Sequence, residues 1–191
     1  MTLLIVGLIL FLGIHSLRIV AEPARARMVG AMGIWGYKAV YSLIAIAGFV
    51  LIIYGYGQAR LQPVVLYHPP EFLRHLNMLL LLIVFPALLA AYFPGRIQAM
   101  LKHPMLVAVK AWAIAHLLVN GTLAGVVLFG AFLIWAVADR IAVKRRTGSD
   151  TPQLPATGFN DAIVIIAGLG LYLAFVFWLH PILIGVPAVR M

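Results

Sequence analysis

No cysteine occurs among the 191 residues. Disulfides, thiolate metal sites, cysteine nucleophiles and a thiolate-ligated haem are therefore excluded. Carboxylates are scarce too. The five acids are Glu22, Glu71, Asp139, Asp150 and Asp161, all at or beyond the ends of apolar runs. Acid–base catalysis by paired carboxylates has little to draw on. No Ser-His-Asp set, phosphate loop or glycine-rich nucleotide motif is present. Charged residues make up 10% of the chain and hydrophobic ones 64%. A soluble domain is roughly 45–50% apolar. The composition therefore describes an all-α integral membrane protein with room for one membrane domain, residues 1–191, and no soluble one.

A spanning helix needs about 20 apolar residues. Six stretches qualify or come close: residues 2–20, 37–57, 73–93, 104–119, 122–141 and 161–184. A bundle of about six transmembrane helices is expected. The first stretch lacks a basic leader and a small-residue cleavage site, so it is expected to stay as a mature helix. The fourth is short and polar, and Asn120 and Gly121 join it to the fifth as a tight hairpin. Pro104 suits a first-turn position. Pro86 predicts a kink in the third span and Pro181 another near the end of the sixth.

The net charge of +9 has no basic soluble module to carry nucleic-acid binding, so no nucleic-acid partner is expected. Its distribution reads as a topology signal instead. Arg18, Arg25, Arg27, Lys38, Arg96, Lys102, Arg140, Lys144, Arg145 and Arg146 fall on one side, against Arg60, Arg74 and Arg190 on the other. Cytoplasmic loops collect Lys and Arg. Both termini are therefore expected on the non-cytoplasmic side, with residues 142–160 a flexible cytoplasmic loop. That basic loop is topology signal first, and a docking place for a partner or anionic lipid second.

Six histidines remain, and they differ in meaning. His68, in Tyr67-His68-Pro69-Pro70, reads as exposed. His75, beside Arg74, reads as interfacial. His180, in Trp178-Leu179-His180-Pro181, reads as kink-capping or interfacial. His15 and His116 lie inside spans, where an ionisable residue is a site hypothesis. A lone buried histidine is most simply an imidazole bonded to a carbonyl, but here there is company. Asn120 and Trp112 share a helical face with His116. Lys110 lies within the same span and must find a partner, reach water or lose its proton. His103 precedes Pro104 and shares a face with Lys110.

Two imidazoles from different helices, with apolar walls, suit a haem held inside a bundle. Structural zinc fits poorly without cysteine, and a three-histidine catalytic zinc site stays open. One geometric strain attends the haem pairing. His15 sits about four residues inward of mid-span and His116 about four outward, roughly 12 Å apart in depth. Helix tilt, or a first span that extends past Glu22, would close part of the gap; otherwise one ligand is His103 or the site is five-coordinate.

At these residues the chain resembles the NnrU family. The matching blocks are Phe11-Leu12-Gly13-Ile14-His15-Ser16-Leu17-Arg18 and Tyr92-Phe93-Pro94-Gly95-Arg96. Next come Leu101-Lys102-His103-Pro104 through Lys110, Trp112 and His116 to Asn120-Gly121, then Phe129-Gly130 and Trp135-Ala136-Val137-Ala138-Asp139-Arg140. The resemblance implies a multi-pass protein of the bacterial inner membrane, associated with denitrification and the expression of nitrite and nitric oxide reductases. The family is also similar to plant zeta-carotene isomerase, a haem b enzyme acting on a lipophilic polyene. That likeness implies haem b as cofactor, with His15 and His116 as metal ligands and His103 as alternative ligand or relay. Lys110, Trp112 and Asn120 complete the expected cofactor-binding set. The implied partners are membrane lipids, a lipophilic substrate and a respiratory reductase. Two other readings follow from the same resemblance. One is a non-enzymatic maturation or regulatory factor for nitrogen-oxide reductases. The other is a relative of integral-membrane methyltransferases, through Lys102-His103-Pro104, although the glutamate-bearing motif of those enzymes is missing.

Overall fold

The computed structural model describes residues 1–145 and 152–188. Arg146, Asp150, Arg190 and the middle of the expected 142–160 loop lie outside them. The described residues form helices α1 (Thr2–Val20), α2 (Glu22–Ala59), α3 (Leu73–Ala90), α4 (Arg96–Leu101), α5 (Pro104–Val119), α6 (Leu123–Val143) and α7 (Asn160–Ala174). A π-helical turn, Phe175–Leu179, then leads into α8 (His180–Ile184). Among the described residues five helices are long and apolar enough to cross a membrane: α1, α2, α3, α6 and the continuous run Asn160–Ile184, with Pro104–Val119 a shorter apolar helix. The chain forms two compact units.

The first unit comprises residues 1–70 and 116–147. Its backbone rests on the close approach of α1 and α2. A Cβ added at Gly48 would lie 2.7 Å from the Phe11 nitrogen, and one at Gly55 would strike Leu4. Small residues let membrane helices pack backbone to backbone, where dispersion replaces the missing hydrophobic drive. Leu4 is fully buried as a result. The second helix starts earlier than residue 37, because the Ala/Arg/Met segment after Glu22 and Pro23 is good helix former and carries an Arg25–Glu22 ion pair at 2.8 Å. Gly33 interrupts it with φ +70°, ψ 166°, a conformation glycine adopts without steric cost.

The α5–α6 turn is sealed by the loop after α2. Leu66 and Tyr67 N–H both donate to the Gly121 carbonyl, at 2.8 and 3.2 Å, and Leu123 N–H donates to Val64. The Tyr67 hydroxyl donates to the Leu117 and Asn120 carbonyls. A side chain at Gly121 would run into the Tyr67 carbonyl. Thr122 caps α6 by accepting from Gly125 N–H at 3.2 Å. These bonds satisfy backbone groups that a membrane would leave without water.

The second unit comprises residues 71–115 and 148–191. Val84, Ala87 and Ala108 form its buried centre, with Leu81, Leu88, Leu101, Val107, Ala111 and Trp112 packed around them. Pro86 stands inside α3, and Gly168 of α7 lies against its ring at 2.7 Å from an added Cβ. Asp161 caps the short helix α4, which the sequence did not announce, by accepting from Arg96 and Ile97 N–H at 3.0 Å each. Asn160 is 3% exposed and donates to the Pro94 and Pro155 carbonyls. Near the chain end, the predicted Pro181 irregularity takes the form of the π-helical turn just before it. Proline lacks an N–H and crowds the carbonyl four residues back, and a wider turn relieves both.

Candidate functional site

Helix α1 presents His15 one turn after Phe11, so the two share a face. The His15 Nδ1 lies 2.6 Å from the Phe11 carbonyl oxygen. A carbonyl can only accept, so Nδ1 carries the proton and the lone pair of the neutral ring sits on Nε2. A structural buried histidine makes the same bond, and it is also how a protein orients a ligating one. Aromatic rings surround the imidazole. Phe11 lies 4.3 Å away between centroids, Tyr41 of α2 at 5.2 Å and Trp135 of α6 at 6.1 Å with planes perpendicular. The Trp135 indole N–H is buried and has no acceptor among the described residues. A buried donor without acceptor costs about 1–3 kcal/mol. The site therefore combines an oriented imidazole with a neighbouring tryptophan whose buried N–H has no acceptor among the described residues.

His116 lies near the end of α5 and stacks on Phe129 at 4.5 Å and 22°. Asn120 Nδ2 donates to the His116 carbonyl at 2.9 Å, so the Asn120 amide serves as a cap for the helix end. Both histidines thus lean on α6, His15 at Trp135 and His116 at Phe129. Six residues of helix separate those two contacts, roughly 9 Å along the axis. Phe11 and Phe132, 5.7 Å apart, continue the aromatic row from the His15 end.

The six expected site residues divide between the units. His15, His116 and Asn120 belong to the first; His103, Lys110 and Trp112 belong to the second. In the second unit the His103 carbonyl accepts from Val107 N–H at 3.1 Å and opens α5, while Pro104 takes the first-turn position. Lys102 before it has φ +60° and ψ −45°, and His103 N–H closes a γ-turn onto Leu101 at 2.6 Å. Lys110 is half-buried, and Trp112 packs on the Val84–Ala87–Ala108 cluster. His68 and His75 are exposed. His180 Nδ1 meets the Val186 carbonyl at 2.7 Å, a local closure of the chain end. No group of three His or acidic residues able to hold a metal ion occurs among the described residues, which removes the three-histidine zinc arrangement from them.

Four residues around the histidines are given no role by the sequence: Tyr41, and Phe11, Phe129 and Trp135, which stand in the matching blocks. Their signal was the helical spacing of Phe11 with His15, and of Phe129, Phe132 and Trp135 along α6. An aromatic stripe of that kind is ordinary core filling unless a polar atom within it lacks a partner, and only coordinates reveal that.

A cavity of about 390 Å³ opens elsewhere in the first unit, lined by Met1, Gln58, Leu61, Gln62, Val64 and Leu123 among others. Met1 and His15 stand at opposite ends of α1, about 20 Å apart along it, so this space does not serve the aromatic cage. Among known proteins, a family profile described as NnrU protein matches residues 3–188. No curated protein and no solved structure matches the chain.

Proposed function

The chain belongs to the NnrU family, and from that premise we propose that it is a multi-pass protein of the bacterial inner membrane that holds haem b at His15. The observation that carries this reading is the His15 ring itself, with Nδ1 committed to the Phe11 carbonyl and Nε2 left as an acceptor within Phe11, Tyr41 and Trp135. The residues fit a haem in three respects. His15 offers a neutral nitrogen, the walls are flat and apolar, and the Trp135 N–H lacks the acceptor that a carboxylate-bearing guest would bring. His116 is the second ligand candidate. Its contact with α6 lies roughly 9 Å along that helix from that of His15, so His15 is the residue that would hold the group. His103, Lys110 and Trp112 are retained as residues of a wider site on the strength of the family resemblance alone.

Bound haem would supply one-electron and Lewis-acid chemistry to a lipophilic substrate, in the manner of a redox or cis–trans isomerase-like protein. The chain's own part is to fix the ligand's tautomer, exclude water with aromatic rings and offer the Trp135 donor. Scarce internal carboxylates suit chemistry that needs no protein base. The link to expression of nitrite and nitric oxide reductases follows from the family and forms part of the proposal.

Protein purified from haem-replete cells should show a Soret band. His15→Ala should abolish it, and His116→Ala should leave most of it. Colourless wild-type protein overturns the reading. If that colourless protein also copurifies with a nitrogen-oxide reductase, the maturation-factor role takes its place. Binding of S-adenosylmethionine that depends on His103 would point to the methyltransferase relationship instead.

A further inference from the structure

At one end of the first unit, apolar and basic side chains are interleaved on the surface. Helices α1 and α6 run in the same direction there, since Phe11 meets Phe132 and His15 meets Trp135. Helix α2 runs against them, with Phe49 at Phe11 and Tyr41 at His15. The end of α1, the Glu22–Lys38 stretch of α2 and the end of α6 are therefore gathered at the same end. Trp35 is 78% exposed and Val20 80%, and Met32, Ile34 and Ile141 are exposed beside them in the sequence of those elements. Arg27, Lys38, Lys144 and Arg145 are exposed on the same three segments. Lys38 Nζ lies 4.9 Å over the Trp35 ring. Arg25 is already occupied, by Glu22 at 2.8 Å and by the Tyr37 face at 5.6 Å.

Exposed tryptophan with exposed cations is the pairing that marks a membrane–water boundary. Lys and Arg stems lie along apolar surface while their charges reach the headgroups. The Gly33 break separates the Glu22–Met32 stretch from the long apolar part of α2, so this stretch need not continue along the spanning axis. The acids on these segments are Glu22, which is engaged with Arg25, and Asp139, five residues before Lys144.

We infer that this end of the first unit is a docking surface for anionic phospholipid headgroups, with Arg27, Lys38, Lys144 and Arg145 as the cations and Trp35 as the interfacial anchor. Charge complementarity names the occupant, because a zwitterionic headgroup offers no net attraction and a juxtamembrane cation gains about 1 kcal/mol at an anionic surface. The inference stands independently of haem.

The test uses the full chain reconstituted in vesicles of phosphatidylcholine with about one third phosphatidylglycerol, then extracted in mild detergent and assayed for copurifying lipid. Wild type should retain phosphatidylglycerol enriched about fivefold over the bulk ratio, the factor that corresponds to 1 kcal/mol. The enrichment should fall in high salt. The combined Arg27→Gln, Lys38→Gln, Lys144→Gln and Arg145→Gln variant should return to the bulk ratio, while Arg60→Gln, at the far end of α2, keeps the enrichment. Trp35→Ala should lower the retention of both lipids and keep their ratio. Wild type at the bulk ratio overturns the inference. So does equal loss in Arg60→Gln, or undiminished enrichment in the four-cation variant. Should the four-cation variant fail to fold, wild-type enrichment that high salt leaves unchanged overturns it as well.

Discussion

The two units bury polar side chains to different ends. In the second, Asn160 and Asp161 each hold backbone groups of the Tyr92–Leu101 region, and every such bond closes a loop or caps a helix. Tyr172 likewise donates to the Met78 carbonyl. In the first, His15 spends one nitrogen on its own helix, and the Trp135 N–H meets no acceptor among the described residues. Polar groups in a membrane protein are costly unless satisfied. Among its described residues the second unit satisfies them to fix its fold, with the Asn77 oxygen as the exception. The first does the same at its α5–α6 turn through Tyr67, Thr122 and Asn120, and in addition sets the His15 ring beside Trp135, whose N–H is left without such a bond.

Substitutions should separate these two uses. The largest effect is expected at Gly121, where a side chain would drive the Tyr67 carbonyl off the α5–α6 turn. Gly121→Val should destabilise by more than about 3 kcal/mol in detergent unfolding, although it touches no candidate ligand. Asp161→Ala removes two bonds from a carboxylate to the first turn of α4. It should cost about 2 kcal/mol and leave any haem spectrum unchanged. If Asp161→Ala instead erased the spectrum, the division of labour between the units would be wrong. Tyr67→Phe should cost about 1 kcal/mol, as one hydroxyl donor is lost. Trp135→Phe sharpens the contrast most, because its expected stability effect is smallest. A donor with no acceptor has no bond to lose, so the melting temperature should hold or rise while the spectrum shifts. A marked drop in melting temperature would show that Trp135 has a structural partner after all.

The spans were legible in the sequence because hydrocarbon thickness imposes a length that composition alone can meet, and α1, α3 and α5 follow the expected apolar runs closely. The early start of α2 was hidden, since residues 22–36 carry arginines and three glycines and lack the apolar density of a span. Helix α4 was hidden because its cap, Asp161, lies 65 residues away in sequence. Tyr67 looked like a loop residue because nothing local predicts a bond to the carbonyl of Leu117. The histidines were legible as exceptions inside apolar runs. Their surroundings were not, because which ring of α6 meets His15 depends on the register between helices. Asn120 shows the opposite limit: the helical spacing sets it on the face of His116, and its amide is engaged with the His116 carbonyl at the helix end.

The central claim is that His15 Nε2 is kept for haem iron. It is tested most directly by titrating haem into the purified protein and into His15→Ala in identical nanodiscs and following absorbance. A saturable Soret shift in wild type, absent from a stably folded His15→Ala, is the expected result. Equal binding by both proteins, or by neither, would contradict the claim.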